Sequence, residues 1–274
     1  MLNFNGSLVK EVDVQLPYNN RGFAYGDAIF ETLKVANSKA HFLEDHYFRL
    51  MASMRMLRMK IPFNFTLEFF ESQIIMLLAA NNIGGLARIK FTIFRDAKGF
   101  YAPDGNNIKF IIEAKLLEEY IINPSYEIEL FKDFYVSKDQ LSTLKTTAKP
   151  LNVLAAIFAK ENNYNNCLLL NTDKQVVEAL NANIFLVKGD VIITPPLADG
   201  CLNGIIRKKI IENIQKEKVY KFEERSVSPF EILKCDEMFL TNSIIGVQPV
   251  AKYRKKIFKN EIGLLFANKL KKLV

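Results

Sequence analysis

The sequence predicts a mixed α/β (α+β) fold in two mixed-sheet domains, on three observations. Short runs with strand-like alternation outnumber the long helical runs. Several strand pairs are separated by tight-turn residues, so neighbouring strands join as hairpins rather than through helical crossovers. A stretch of acidic and turn residues, Leu116–Ser125, interrupts the pattern near the middle of the chain. Hairpins mixed with helices fit two mixed sheets better than one doubly wound parallel sheet.

The elements follow in order. Ser7–Val14 is strand-like, Pro17–Arg21 is rich in turn residues, and Ala28–Val35 is an apolar strand closed by the turn Asn37-Ser38. Leu43, Tyr47, Leu50, Met54 and Leu57 recur at steps of four and three, one face of an amphipathic helix that Pro62 keeps from extending. Thr66–Leu78 reads as a second helix. Gly84-Gly85 introduces Ala87–Arg95, where Ile89, Phe91 and Ile93 alternate with Arg88, Lys90 and Thr92 as in a half-buried strand. Asp104-Gly105 turns into the strand Ile108–Ala114.

Residues 118–125 form the expected linker between a domain of residues 1–117 and one of residues 126–274. Tyr126–Phe131 is a strand and Leu151–Asn162 a helix. Cys167–Asn171 and Val176–Ala179 flank the turn Thr172–Gln175, and Asn183–Lys188 and Val191–Thr194 flank Gly189-Asp190, a hairpin signal. The helix Gly204–Lys216, a short helix at Phe230–Leu233 and the strand Glu237–Asn242 complete the set.

Composition narrows the function. A chain of 274 residues with 49% apolar residues, 22 Phe among them, has the material for a sizeable core, and 24% charged residues is ordinary for a globular protein. The net charge of +7 is scattered, with its densest group at Lys252–Lys272, which reads as a solvated surface rather than a nucleic-acid track. A basic nucleic-acid-binding module, supported by Phe94, Arg95, Lys98, Phe100 and Tyr101, is the remote alternative, and it leaves the cofactor-type residues below unexplained. Three dispersed cysteines and two histidines make neither a disulfide framework nor a metal cluster. The sequence shows no signal-peptide pattern and no apolar run of the roughly 18 residues that suggest a membrane span. A cytoplasmic protein is the expectation.

Several residues could carry chemistry. Asn203-Gly204-Ile205-Ile206-Arg207 follows Pro195-Pro196 and opens a basic helix. It is either a backbone anion site or an ordinary Asn N-cap. Arg49 stands three residues after His46, on nearly the same helix face. Tyr25-Gly26-Asp27 enters an apolar strand, and Glu178 ends the strand that begins at Val176. Lys145 lies between a strand region and a helix, with Lys138 and Lys149 nearby, and composition alone does not choose among them.

Taken in order, these segments resemble the class IV aminotransferases, the fold-type IV pyridoxal-phosphate enzymes. That group includes branched-chain and D-amino-acid aminotransferases and aminodeoxychorismate lyase. The likeness runs from Asn20–Thr32 through His46 to Leu50 and Leu144-Lys145-Thr146. It continues through Val177-Glu178, Asn183-Ile184-Phe185, Thr194-Pro195-Pro196, Gly204–Arg207, Thr241-Asn242-Ser243 and Pro249-Val250.

The resemblance implies pyridoxal 5'-phosphate as cofactor, an active site between the two domains, and a homodimer; the scattered charge and the lack of an apolar span argue against nucleic-acid or membrane partners. It implies that Lys145, carried by the second domain, is the Schiff-base lysine and moves the proton during reaction, and that Glu178 pairs with the pyridine nitrogen. Arg49, the N–H groups of Ile205 and Ile206, and Ser243 are implied to hold the phosphate, with Tyr25, Phe30 and Arg95 on the substrate side. Many relatives carry an Asn three or four residues after the lysine. Here Ala148 stands three after Lys145, whereas Asn152 stands three after Lys149, the rival anchor; the unbroken distance to Ala159–Tyr164 favours Lys145. The Tyr/Phe-Gly-Asp-Gly element reads Tyr25-Gly26-Asp27-Ala28. The segment Phe91–Gly99 keeps an arginine but lacks the Thr-Arg-Gly ending and second arginine of the D-amino-acid enzymes. The implied activity is amino-group exchange between an amino acid or related amine and a 2-oxo acid. The alternative is the lyase, which releases pyruvate and 4-aminobenzoate.

Overall fold

The computed structural model describes residues 1–273; Val274, the last residue of the expected second domain, lies outside the described residues. In chain order the elements are β1 (Leu2–Phe4), β2 (Ser7–Val9), α1 (Arg21–Tyr25), β3 (Ala28–Ala36), β4 (Lys39–Ala40), α2 (Leu43–Met56), α3 (Leu67–Ala80), β5 (Ala87–Arg95) and β6 (Ile108–Leu116). There follow β7 (Glu127–Leu130), α4 (Pro150–Glu161), β8 (Asn166–Leu170), β9 (Val176–Ala179), β10 (Asn183–Lys188), β11 (Val191–Thr194), α5 (Ile205–Glu217) and β12 (Lys221–Glu224). The last are α6 (Pro229–Ile232), β13 (Glu237–Asn242), β14 (Gly246–Pro249), β15 (Lys252–Tyr253), β16 (Lys256–Ile257) and α7 (Glu261–Lys271). Among the described residues no helix is long and apolar enough to cross a membrane.

Contacts divide the chain into two compact units. One is Met1–Glu119 with Lys145–Ala148; the other is Tyr120–Leu144 with the residues from Lys149 onward. Residues 117–126 carry no helix or strand.

The first unit is built on a six-stranded sheet in the order β2-β1-β6-β5-β3-β4, with every neighbouring pair antiparallel. Alternation decides its faces. Ile29, Leu33 and Val35 of β3, Ile89, Phe91 and Ile93 of β5, and Phe110 and Ile112 of β6 form a core with Leu50 and Met54 of α2 and Phe70, Ile74 and Leu77 of α3. Phe70 stacks on Phe91 with centroids 4.7 Å apart. Burying a side chain of this size stabilises by about 1.5–3 kcal/mol. One polar residue lies on the inward face of β3: Glu31, 1% exposed.

Lys145–Ala148 joins this unit because its backbone continues the sheet hydrogen bonding beside β3. Phe30 N donates to the Lys145 carbonyl at 2.9 Å, Thr147 N donates to the Ala28 carbonyl at 3.0 Å, and Ile29 and Thr146 form an antiparallel bridge.

The second unit contains two five-stranded sheets, β12-β11-β10-β13-β14 and β16-β15-β7-β8-β9. Both are mixed: β11–β12, β15–β7 and β7–β8 are parallel and the other pairs antiparallel. The Gly189-Asp190 turn closes the β10–β11 hairpin with Gly189 at φ +58°, a conformation that suits glycine. Glu237 of β13 starts α7, its carboxylate accepting from Ile262 N and Gly263 N.

The structure departs from the expected elements at the ends of the chain. Strand structure stops at Val9, and Glu11–Asp13 turns as a single 3₁₀ helix instead of extending to Val14. Within and beyond the turn-rich Pro17–Arg21, Asn20 caps α1 by accepting from Phe23 N at 3.2 Å, which converts the entry loop into a short helix. The C-terminal basic stretch, expected as solvated surface, contains the strands β15 and β16 and the helix α7. Phe266 and Leu270 of α7 are buried although lysines surround them in sequence.

Candidate active site

In the first unit, Lys145 stands over Phe30 with Nζ 4.6 Å from the ring centroid. Both are half-buried, and the backbone pairing of Lys145–Thr147 with β3 sets their separation. The next residue, Ala148, packs on Gly26. Gly26 ends α1 at φ +64°, and a Cβ there would lie 2.8 Å from the Ala148 Cβ. The small residue at 148 therefore faces a glycine that steric crowding and a left-handed backbone both require.

Arg49 of α2 is turned onto Glu31. Its Nε donates to Oε1 at 2.7 Å and its Nη2 to Oε2 at 2.5 Å, and His46 Nδ1 meets Oε2 at 2.7 Å. The three-residue spacing of His46 and Arg49 puts both on the helix face toward β3. Burial alone would raise the Glu31 pKa. The Arg49 charge and the hydrogen bonds from His46 and Arg49 outweigh burial and hold it at about 2. Burial pushes His46 down, with Glu31 opposing and the charges of Arg49 and Lys145 adding to the fall. Neutral His46 therefore donates Nδ1–H to Glu31, and its buried Nε2 has no hydrogen-bond partner among the described residues.

This cluster carries a stability prediction. Glu31→Ala leaves a partly buried guanidinium without its carboxylate and is expected to cost about 3–5 kcal/mol in denaturant unfolding. Because the folded-state pKa lies below the ordinary 4.5, Glu31 contributes fully above about pH 4.5, and the contribution is lost as pH falls through about 2. Acid titration of stability should show this loss in the parent and not in Glu31→Ala; equal acid sensitivity in both would reject the clamp.

Arg95 and Tyr25 belong to a second network. Asp27 Oδ2 accepts from Arg95 Nε and Arg21 Nε, each at 2.8 Å. Burial raises the Asp27 pKa, but its bonds to Arg95 and Arg21 outweigh that and lower it. The other nitrogens of Arg95 reach Asn106 Oδ1 and the Leu57 and Arg58 carbonyls, so this arginine, 7% exposed, is tied into the protein on all sides. Arg21 also donates to the Gly99, Phe100 and Tyr101 carbonyls and lies 4.9 Å over the Tyr25 ring. Tyr25 and Tyr101 have centroids 5.7 Å apart.

The remaining candidates fall in the second unit. Glu178 of β9 accepts from Leu202 N at 2.8 Å on Oε2. Two residues later the chain enters α5, whose N-cap is Gly204 rather than Asn203, with no side-chain cap. The N–H groups of Ile205 and Ile206 have no acceptor among the described residues. A Cβ at Gly204 would come within 1.9 Å of Asn183 Oδ1. Asn183 opens β10 opposite Thr241 of β13, which places the Asn242-Ser243 turn at the same sheet end. Asn242 Oδ1 shapes that turn by accepting from Ile244 N and Ile245 N, each at 2.9 Å. Thr241 Oγ1 is buried with no partner among the described residues. An open helix start, an obligatory glycine and a nearby hydroxyl make a donor set that fits a phosphate group.

Tyr25, Phe30, Arg49, Arg95 and Lys145 thus lie in the first unit, and Glu178, Ile205, Ile206 and Ser243 in the second. The sequence marks Asp27 only as part of Tyr25-Gly26-Asp27 and gives no individual role to Glu31, Arg21, Asn183 or Leu202. A lone acidic residue on the apolar side of a strand was the available signal for Glu31. Leu202 acts through its backbone, which no residue type reveals.

With one antiparallel sheet in the first unit and two mixed sheets in the second, the chain has the fold of the class IV aminotransferases. The family described as Amino-transferase class IV matches residues 28–253, and the chain belongs to it. The D-alanine aminotransferase of Staphylococcus epidermidis strain RP62A is 26% identical over 257 residues, covering 90% of this chain and 87% of that protein. Two solved structures share the fold. The 4-amino-4-deoxychorismate lyase of Pseudomonas aeruginosa has a TM-score of 0.87 at 24% identity, covering 99% of this chain and 98% of that one. The branched-chain amino acid aminotransferase of Thermobaculum terrenum, in its PLP (holo) form, has a TM-score of 0.85 at 22% identity, covering 99% and 92%.

Proposed function

We propose that this enzyme uses pyridoxal 5'-phosphate to exchange an amino group between an amino acid and a 2-oxo acid. The observation that carries the reading is the second unit's pairing of the Glu178 carboxylate with the uncapped start of α5, two residues beyond its hydrogen-bonded partner Leu202. Bound there, the cofactor supplies an electron sink for a carbanion at the substrate Cα.

The chain's own residues divide the remaining work. Glu178 holds a proton on the ring nitrogen by its negative charge. Ile205 N–H, Ile206 N–H and the Ser243 hydroxyl bind the phosphate, with the dipole of α5 behind them. In the first unit, Arg49 adds a charge-assisted contact to the phosphate while Glu31 orients it. Lys145 takes the cofactor aldehyde at rest and moves the proton at the substrate Cα during turnover. Phe30 and Tyr25 face the substrate side, and Arg95 serves it by holding the Asp27 loop. The expected domain limits, 1–117 and 126–274 about the linker 118–125, remain part of the proposal, with Lys145–Ala148 packed in the first unit. We place the enzyme in the cytoplasm as a homodimer, a location consistent with three unpaired, buried cysteines.

Half-reactions test the activity. An amino acid alone should convert the yellow aldehyde form to the pyridoxamine form, and a 2-oxo acid should restore it. A panel of amino acids that leaves the spectrum unchanged, while aminodeoxychorismate yields pyruvate and 4-aminobenzoate, would replace the transaminase reading by the lyase.

A further inference from the structure

Three hydrogen bonds converge on the Leu202 backbone, and two of them tie it to the two sheets of the second unit. Leu202 N–H donates to Glu178 Oε2 at 2.8 Å, from β9 in the sheet β16-β15-β7-β8-β9. The Leu202 carbonyl accepts from Asn183 Nδ2 at 2.8 Å, from β10 in the sheet β12-β11-β10-β13-β14. The same carbonyl accepts from Gly204 N at 2.9 Å, and Asn203 N donates to the Thr143 carbonyl at 3.3 Å. Every N–H from Leu202 to Gly204 is therefore satisfied by the protein, and the open donors begin at Ile205.

We propose that Asn183 is a positioning residue that fixes the distance between the Glu178 carboxylate and the phosphate-binding start of α5, by locking the Leu202 backbone between the two sheets. The inference rests on the proposed roles of Glu178 and of α5. A rigid cofactor needs its ring nitrogen and its phosphate met at one spacing, and errors of half an ångström in such a frame weaken both contacts. A loop tied to one sheet could pivot about that tie. Asn183 provides the second tie from a strand paired on both sides, with β11 and β13.

The geometry also explains why residue 204 is glycine where φ is an ordinary −74°. Asn183 Oδ1 occupies the space a Cβ would need, 1.9 Å from its ideal position. Asn183 is 4% exposed, so its amide cannot swing into solvent without opening the sheet end. Backbone permissiveness is thus not what selects glycine here; clearance for the positioning amide is.

Titrations of the apo chain with pyridoxal phosphate and with pyridoxal, which lacks the phosphate, test the inference without reference to turnover. Asn183→Ala removes one neutral hydrogen bond, and the dissociation constant for pyridoxal phosphate should rise by about tenfold. That for pyridoxal should rise less than about threefold, since one contact needs no spacing. Gly204→Ala, which crowds the same amide from the other side, should reproduce the split and keeps the test available if Asn183→Ala does not fold. Equal weakening of both ligands, or an unchanged dissociation constant for pyridoxal phosphate, overturns the positioning role while leaving the cofactor reading intact. A parent chain that binds neither ligand overturns both.

Discussion

Borohydride treatment of the cofactor-loaded protein is expected to fix the cofactor irreversibly to a single peptide, with the added mass on Lys145. Lys145→Ala should lose turnover by roughly 10²–10⁴-fold or more, the range over which a positioned proton-transfer group acts. The structure gives this lysine two features that Lys149 lacks. Its backbone is paired with β3, through Phe30 N to the Lys145 carbonyl and Thr147 N to the Ala28 carbonyl, so its Cα is held by a sheet. Its Nζ lies over the Phe30 ring, and its charge is felt at His46, which Arg49 also influences. Lys149 is instead the N-cap of α4, a helix start where its side chain makes no cap. Lys149→Ala should therefore keep the adduct and most of the activity. An adduct that moves to Lys149, or persists in Lys145→Ala, would shift the assignment by four residues.

Strong periodicity made the long elements legible. β5, β9, β10, β11 and β13 match their expected limits, because alternating or continuous apolar runs bounded by turn residues admit few other readings. The α2 helix was equally plain from the four-and-three spacing of its apolar residues. Short strands such as β4, β15 and β16, two residues each, exist through their partners, and no local pattern announces a two-residue strand. α7 was hidden for another reason: its lysines masked an apolar face whose period appears only once Phe266 and Leu270 are seen to be buried. The candidate site divides in the same way. The proposed Lys145 and Glu178 are picked out by their order along the family pattern, not by residue type. The supports are not, because Leu202 contributes a peptide group, Asn183 an amide common in turns, and Glu31 a carboxylate whose partners lie 15 and 18 residues away.

Glu178→Gln is expected to fold normally and keep most of its affinity for pyridoxal phosphate, yet lose turnover by on the order of 10²-fold or more, as for removal of a preorganised electrostatic contact. The amide oxygen of Gln can still accept from Leu202 N–H, the contact that Glu178 Oε2 makes at 2.8 Å, so the loop before α5 stays in place. The negative charge is removed, and the other carboxylate oxygen becomes an NH2 donor. On the proposed role of Glu178, the ring nitrogen of a bound cofactor would then no longer be held protonated and would draw less charge from the substrate Cα. The defect should therefore fall on proton transfer rather than on binding. It is read by exchange of the substrate Cα proton with deuterated water, which should slow in step with turnover while the Michaelis constant changes little. Glu178→Asp keeps the charge but shortens the side chain by one methylene. It should retain exchange better than the Gln variant, even though it strains the Leu202 contact. If Glu178→Gln exchanges its substrate proton at the parental rate, or if Asp is no better than Gln, Glu178 merely braces the loop and the ring-nitrogen role belongs to another residue.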